Sequence, residues 1–332
     1  MTGADPTVGE LAESAILRDV LAEIGPSGAI VGPGDDAAVL AVPDGRVVAT
    51  VDTLVHGPDF RLAWSSAADL GWKAAAVNLA DIAAMGARPI ALLVALALPD
   101  DTRLSFVTAL MAGARDAGDT LAPGCRVEGG DLTVSDTLTI AVTAIGVLDG
   151  GEPVRRSGAR VGDVVALAGD AGVAARGLGM LFDRFRDAAG RPIPIDSDAF
   201  AALPADDVAA IGRQLRPHPP IGSGVLAAAA GATAMMDVSD GLALDTSRLA
   251  TASEVTIDID AQRLGADPAT ALDGGEDHAL LATFPAEAAL PEGFRVIGRV
   301  VARTADPVTV DGAPYDGRGG WDPYRDWDAA RG

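Results

Sequence analysis

Segments with the apolar spacing of helices alternate with segments typical of strands along both halves of this chain. In the first half, the spacing predicts helices over Gly9–Ile24 and Leu70–Met85 and a buried strand over Ile90–Leu98. In the second half, it predicts a strand over Val164–Ala168 and a helix over Gly172–Arg186. Mixed helices and strands in both halves are typical of layered α/β (α+β) domains, so we predict that fold class.

A stretch rich in Gly and Arg, residues 150–162, lies between the two halves. Such stretches are typical of domain boundaries. We therefore predict two domains, residues 1–150 and residues 151–332.

Short polar signals predict where several elements end. Asp69 is positioned to cap the second helix, and the turn Pro43–Gly45 is expected to join strands over Ala37–Val42 and Arg46–Val51. The run Glu128–Asp131 reads Glu-Gly-Gly-Asp and predicts another turn.

Charge and cysteine content exclude several classes of protein. The chain has 47 acidic and 25 basic residues, a net charge of −22, so nucleic acid and anionic membranes should repel it. Its longest apolar run, Ile90–Leu98, is too short to span a bilayer. A single cysteine, Cys125, excludes an internal disulfide, and no targeting signal is visible within Met1–Glu10, so we expect a cytoplasmic protein.

Acidic residues recur at the predicted ends of strands and helices. Carboxylates gathered there would repel one another unless a cation lay between them, and Mg²⁺ prefers oxygen ligands that it shares readily with phosphates. The pattern therefore predicts a magnesium site for a phosphorylated ligand, although Asp and Gly are also ordinary turn residues. No lysine-bearing phosphate loop and no dinucleotide fingerprint is present. The acids are Asp35, Asp36, Asp52, Asp81, Asp131, Asp237, Asp240, Glu276 and Asp277.

Two clusters favour the metal interpretation. Asp237, Ser239 and Asp240 place two carboxylates and a hydroxyl between a predicted strand and a predicted helix. Either Ser239 or Asp240 would also suit a helix N-cap, but a cap needs one acceptor and three are present. The second cluster, Gly274–Asp277, has two glycines that allow close approach of a ligand, followed by two acids.

An ordered set of short motifs resembles the thiamine-monophosphate kinase family, within the superfamily of aminoimidazole ribonucleotide synthetase. The resemblance runs from about Gly9 to Trp321. The motif Val77–Ala87 is the most specific to the kinases. The motifs in chain order are Gly34–Leu40, Val51–Val55, Gly71–Ala74, Val77–Ala87, Gly129–Asp131, Arg156–Ala159, Asp237–Leu242 and Gly274–Asp277.

The resemblance implies a two-domain fold and a homodimer. The N-terminal sheets of two chains would pair into a barrel, and an α/β C-terminal domain would close the site. The implied reaction converts ATP and thiamine monophosphate into ADP and thiamine diphosphate with the help of several Mg²⁺ ions. Phosphoryl transfer of this kind needs positioning and charge neutralisation, and the acceptor phosphate is itself a nucleophile, so no catalytic base is expected.

The same resemblance implies roles for individual residues. Gly130, Asp131, Arg156 and Ser239 match nucleotide contacts. Asp59, Glu276 and Trp321 match the thiamine side, with Asp59 standing where the family has a histidine. Val51 stands where a hydroxyl is frequent, so only its backbone carbonyl would serve. The implied magnesium ligands are Asp36, Thr50, Val51, Asp52, Asp81, Asp131, Asp237 and Asp240.

Asp59 marks a departure from the family, because an ionised carboxylate there would face the acceptor phosphate. His56, three residues earlier, is one group that would compensate if it swung in as a cation with a raised pKa. An additional Mg²⁺ ion or an outward-pointing loop would serve equally well.

Other functions stay open from the sequence. A sibling selenophosphate synthetase should carry a reactive cysteine near its N-terminus, and the hydrogenase-maturation member should end in a cysteine. The single cysteine of this chain, Cys125, matches neither expectation. A degenerate nucleotide-binding paralogue would explain Asp59 and Val51. A phosphohydrolase would use the same metals and would differ in its products.

Overall fold

The computed structural model describes residues 5–33, 37–317 and 319–321. Asp35 and Asp36 therefore lie outside the described residues, as does the tail beyond Trp321. No helix in the described part of the chain is long and apolar enough to cross a membrane.

The first half forms a four-stranded sheet in the order β1-β4-β2-β3, in which β2 and β3 are parallel and the other pairs antiparallel. Three helices accompany it, and α2 and α3 pack closely together. A Cβ atom at Gly71 of α2 would lie 1.8 Å from the carbonyl oxygen of Leu110, so only glycine allows this approach. The elements are α1 (Glu13–Ile24), β1 (Val48–Val55), α2 (Ala67–Ala84), β2 (Arg88–Leu98), α3 (Leu104–Leu121), β3 (Arg126–Val134) and β4 (Thr139–Val147).

The second half forms a seven-stranded sheet in the order β11-β10-β7-β9-β5-β8-β6. Its strands are β5 (Val164–Ala168), β6 (Ala234–Val238), β7 (Thr256–Ile259), β8 (Ala279–Phe284), β9 (Phe294–Val301), β10 (Val308–Val310) and β11 (Ala313–Pro314). Its helices are α4 (Val173–Arg184), α5 (Ser197–Ala201), α6 (Ala205–Leu215), α7 (Ile221–Ala229), α8 (Leu242–Ala252) and α9 (Pro268–Asp273). Short 3₁₀ helices occur at Val8–Glu10 and Ala261–Leu264.

Helix α2 links the two halves. It packs against α3 and β4 of the first half and against α7 and β6 of the second. One buried apolar cluster accordingly includes Leu79 and Ile140 together with Met235 and Phe284. The mixed α/β class is confirmed, and the division into domains at residues 150–151 stays a prediction.

Several predicted elements are confirmed, and three local predictions are wrong. The strand Val164–Ala168 has the predicted bounds. Helix α2 begins at Ala67 rather than Leu70, because Ser66 is its N-cap and Asp69 closes a capping box from the third position. The segment Ala37–Val42 makes a single bridge, between Val39 and Val31, instead of a hairpin with the next strand, and β1 pairs with β4.

The predicted turn at Glu128–Asp131 is also wrong, because these residues lie inside β3. A Cβ atom at Gly130 would lie 1.9 Å from the carbonyl oxygen of Val94 on β2. The glycine therefore serves a close approach of two backbones rather than a turn.

Candidate active site

Three of the predicted oxygen ligands meet between β1 and α2. The Thr50 hydroxyl donates to Asp81 Oδ2 across 2.7 Å. The backbone N–H of Asp52 donates to Asn78 Oδ1, 2.9 Å away and also on α2. Because α2 is buried on nearly all sides, it holds Asn78 and Asp81 firmly against β1, the edge strand of the first sheet.

Asp237 approaches the same place from the second sheet. It lies in β6, is 4% exposed, and its Oδ2 is 3.2 Å from Nδ1 of His278. Helix α8 begins after Gly241, which makes no side-chain cap, so neither Ser239 nor Asp240 is the N-cap. The turn is held instead by Asp245, whose Oδ2 accepts the N–H of Asp240 at 3.0 Å.

The acids from the two halves face one another. Burial raises the pKa of Asp81 to about 7, and the charges of Asp237 and Asp52 add to the effect. Burial also raises the pKa of Asp52, with further contributions from Asp237, Asp240 and Glu276. We call Thr50, Asp52, Asp81, Asp237 and Asp240 the acid cluster.

Asp240 is at present engaged by a cation from the protein. Arg248 Nη1 is 2.6 Å from Asp240 Oδ2 and 2.6 Å from Oδ1 of the buried Asp245. Across residues 5–33, 37–317 and 319–321, no three Asp, Glu, His or Cys side chains are gathered closely enough to hold one ion. The donor chemistry of the acid cluster, four carboxylates and a hydroxyl, nevertheless suits a hard divalent cation.

The other predicted metal and nucleotide residues lie apart from the acid cluster. Gly130 and Asp131 are exposed on β3, the opposite edge of the first sheet from β1. At a strand spacing of about 4.8 Å, the two edges are roughly 14 Å apart. Val51 is 59% exposed and pairs with Thr143 of β4, and its side chain points away from α2.

Arg156 is exposed, and its carbonyl oxygen accepts the hydroxyl of Ser253 at 2.7 Å. A polar cavity of about 500 Å³ lies beside it, lined by residues such as Arg155 and Ser157. The structure therefore does not bring Arg156 to the acid cluster.

A second cavity, of about 540 Å³, adjoins the acid cluster through Ser239, which lies between Asp237 and Asp240. It brings together all three residues predicted on the thiamine side, Asp59, Glu276 and Trp321, with the predicted nucleotide contact Ser239. The backbone N–H of Glu276 donates to the carbonyl oxygen of Ser239 at 2.8 Å, and that of Trp321 to Asp240 at 2.9 Å. We call this second cavity the acceptor cavity. The segment that contributes Ser239 to its wall also carries Asp237 and Asp240 of the acid cluster.

One wall of the acceptor cavity is aromatic. The rings of Trp64 and Phe182 meet edge to face with centroids 4.8 Å apart, and both line the cavity. The guanidinium of Arg61 lies 5.9 Å from the centroid of Phe182. Aromatic side chains next to carboxylates suit a ligand with a flat apolar ring that carries a positive charge.

The loop that carries Asp59 does not use His56 to compensate for the charge of Asp59. Asp59 Oδ2 accepts the N–H of Val55 at 2.7 Å, so part of the carboxylate is used within the loop. His56 packs against Phe60 with ring centroids 5.6 Å apart, and burial together with Arg61 lowers its pKa. The expectation of a raised pKa for His56 is therefore wrong.

Four residues that shape the site were not assigned to it from the sequence. Asn78 and Asp245 hold backbone N–H groups next to the acid cluster, His278 contacts Asp237, and Lys73 pairs with Glu276. Only Lys73 gave a signal, as the single lysine among 25 basic residues. The contacts of the other three become visible only in the folded structure, where each meets a partner within its own half of the chain.

The fold, two sheets with helix α2 packed against both halves, is that of AIR synthase-related proteins. The family model of AIR synthase related protein, N-terminal domain, matches residues 34–148. The thiamine-monophosphate kinase of Mycobacterium tuberculosis is 41% identical over 335 residues, covering 96% of this chain and 93% of that relative. The chain belongs to the thiamine-monophosphate kinase family.

Solved structures agree with this assignment. A thiamine-monophosphate kinase from Stenotrophomonas maltophilia K279a matches with a TM-score of 0.74 and 32% identity, over 92% of this chain and 98% of that one. A structure of AaThiL complexed with AMPPCP and TMP matches with a TM-score of 0.70 and 32% identity, over 94% and 97%. The predicted resemblance and fold are confirmed, and the dimeric barrel stays a prediction.

Proposed function

We propose that this chain transfers the γ-phosphoryl group of ATP to thiamine monophosphate, giving thiamine diphosphate and ADP. The observation that carries the proposal is that the acid cluster and the acceptor cavity share one loop. Asp237 and Asp240 belong to the cluster, while Ser239 between them lines the cavity. A phosphate bound at the cavity mouth would therefore lie beside the acids.

The relatives support both substrates. The Mycobacterium tuberculosis protein is a thiamine-monophosphate kinase, and AaThiL was solved with AMPPCP and TMP. The acceptor cavity suits the cationic thiazolium ring of thiamine, because the carboxylates of Asp59, Asp273 and Glu276 and the aromatic side chains of Trp64 and Phe182 line it. The full set of acids in the cluster argues against a degenerate paralogue, since without a cation their repulsion would lower stability.

Mg²⁺ fits the acid cluster, because its donors are carboxylate and hydroxyl oxygens and burial among like charges raises the pKa of Asp81 and Asp52. When bound, Mg²⁺ neutralises charge on the phosphates. We propose that several ions are held by residues of β1, α2 and the β6–α8 loop. The proposed ligands are Thr50, Asp52, Asp81, Asp237 and Asp240, with Asp36 and the carbonyl of Val51 completing the set. Asp131 lies at the opposite edge of the sheet, so we propose that it joins such a set only from the second chain of a homodimer.

The residues of the chain would act by positioning. Ser239 is proposed to contact the nucleotide beside the acid cluster, and Asp59, Glu276 and Trp321 the thiamine moiety. Gly130, Asp131 and Arg156 lie apart from the cluster, so we propose that they contact parts of the nucleotide remote from it or act from the second chain of a homodimer. An oxygen of the acceptor phosphate would attack the γ-phosphorus in line, without a protein nucleophile or base.

We also propose a homodimer in the cytoplasm. The face of the first sheet away from α2 leaves apolar side chains exposed, among them Val51. Pairing of this face with a second copy would cover them and form the barrel that the family resemblance implies.

Product analysis tests the proposed function. The purified chain is incubated with ATP, Mg²⁺ and thiamine monophosphate, and thiamine compounds are separated after oxidation to fluorescent thiochromes. We expect thiamine diphosphate to form only in the complete mixture and to disappear with excess EDTA. Release of inorganic phosphate without thiamine diphosphate would instead identify a phosphohydrolase.

A further inference from the structure

The chain's single lysine is buried beside the acceptor cavity. Lys73 lies in the second turn of α2, and its side chain is only 5% exposed. Its ammonium group forms an ion pair with Oε2 of Glu276, and its Nζ is 3.4 Å from the carbonyl oxygen of Gln214. An ammonium so far from solvent needs such partners, so the pair is a specific contact rather than a surface encounter.

Glu276 has two environments. Its Oε2 atom is buried against Lys73, whereas the side chain as a whole is 39% exposed and lines the acceptor cavity. Burial opposes ionisation of Glu276, but Lys73 and His278 outweigh it and hold its pKa below the ordinary value. Its backbone is held at φ 73°, a left-handed conformation unusual for glutamate, by the hydrogen bond to Ser239.

The ion pair also connects the two halves of the site. Lys73 and Asp81 are both on α2, eight residues apart, which corresponds to about 12 Å along the helix axis. Lys73 therefore ties the wall of the acceptor cavity to the helix that positions the acid cluster. A guanidinium is larger and planar, so a compact ammonium suits this enclosed position in a chain that otherwise uses arginine.

We infer that Lys73 is a positioning residue for the acceptor, because its ammonium group fixes the Glu276 carboxylate in the wall of the acceptor cavity. The inference rests on the proposed function, since the acceptor is thiamine monophosphate. It assigns Lys73 to binding of the acceptor and not to binding of ATP.

Steady-state kinetics of four variants test the inference. We expect Lys73→Met to raise KM for thiamine monophosphate at least about 10-fold, with KM for ATP changed less than about twofold. Glu276→Gln should give the same pattern, and the double variant should be no worse than either single variant. Arg88→Met, which breaks the exposed ion pair with Asp149, is the control and should leave both constants unchanged.

Lys73→Arg separates charge from shape. The guanidinium keeps the charge, so we expect it to recover part of the lost affinity for thiamine monophosphate. A merely structural ion pair would lower the melting temperature of Lys73→Met and leave both KM values at the wild-type level. That result would overturn the inference.

The single lysine also allows a direct readout in the wild-type protein. An untagged chain labelled with [ε-¹³C]lysine has one lysine resonance. We expect thiamine monophosphate to shift this resonance and ATP with Mg²⁺ to leave it nearly unmoved. A resonance that responds to ATP and not to thiamine monophosphate would contradict the inference.

Failure of the inference is distinguishable from failure of the proposed function. If wild-type protein forms no thiamine diphosphate, the proposed function is wrong. If it forms thiamine diphosphate while the lysine resonance ignores thiamine monophosphate, only the role of Lys73 is wrong.

Discussion

The imidazole of His278 and the carboxylate of Asp237 form a buried pair, with 3.2 Å between Nδ1 and Oδ2. Burial alone would lower the pKa of His278, but the bond to Asp237 and the nearby Glu276 raise it above its ordinary value. His278 therefore orients one of the proposed magnesium ligands from outside the acid cluster.

Replacement of His278 by Phe should weaken metal binding. The change removes the partner of a buried carboxylate, so we expect about 10-fold weaker affinity for divalent cations. Mn²⁺ binding followed by electron paramagnetic resonance measures this directly. His278→Asn, which keeps a donor near Asp237, is the matched control and should bind Mn²⁺ more tightly than the Phe variant. Equal, wild-type affinity in both variants would show that the pair does not orient the ligand.

Asp81→Asn should separate activity from stability. Loss of a charged ligand should lower kcat on the order of 10²-fold, while Asn still accepts the hydrogen bond from Thr50. Because the folded-state pKa of Asp81 is about 7, above its unfolded value, the metal-free wild type loses stability as pH rises from about 4 through 7. Asp81→Asn removes this ionisable group and so avoids the loss. In EDTA, the melting temperature of the variant minus that of the wild type should therefore be larger at pH 8 than at pH 5.5. A gap that shrinks instead would show that Asp81 ionises easily in the folded protein.

His56 should behave as a neutral packing residue. Burial and Arg61 lower its pKa, so at pH 7 it should carry no charge that could assist a phosphate. Proton NMR of the three histidines should place its midpoint below 6.5. His56→Ala should change KM for thiamine monophosphate less than about twofold. A large increase, with KM for ATP unchanged, would restore His56 as a substrate contact.

The thiol of Cys125 should be unreactive in the folded protein. It is 1% exposed, and burial with the nearby Glu128 raises its pKa to about 12. A disulfide reagent at pH 8 should therefore release no chromophore from the native chain and one equivalent after denaturation in urea. Rapid reaction without denaturant would indicate that the sheet around Cys125 opens readily.

Local sequence patterns predicted much of this fold and the acids of the site. Periodicity identified β5 and α2. The recurrence of acids drew attention to Asp52, Asp81 and Asp237, but the prediction that they end elements is wrong for Asp52, which lies inside β1, and for Asp81, which lies inside α2. The pattern failed at Glu128–Asp131, because a glycine pair that suits a turn also suits a close strand contact, and the latter depends on β2.

Partners that only the tertiary structure brings together could not be predicted. Lys73 and Glu276 are about two hundred residues apart in sequence, and Asp237 and His278 meet only because β6 pairs with β8. Asp240 looked free for a metal in the sequence, and the start of α8 brings Arg248, eight residues later, beside it. Local propensity contains no information about such contacts.

Transfer of label from ATP tests the central claim most directly. The wild-type chain is incubated with Mg²⁺, thiamine monophosphate and ATP labelled with ³²P at the γ position, and the products are separated. If the acid cluster and the acceptor cavity form one site for direct phosphoryl transfer, the label should appear in thiamine diphosphate in step with ADP formation. Label that appears as inorganic phosphate, with thiamine monophosphate unchanged, would contradict the account.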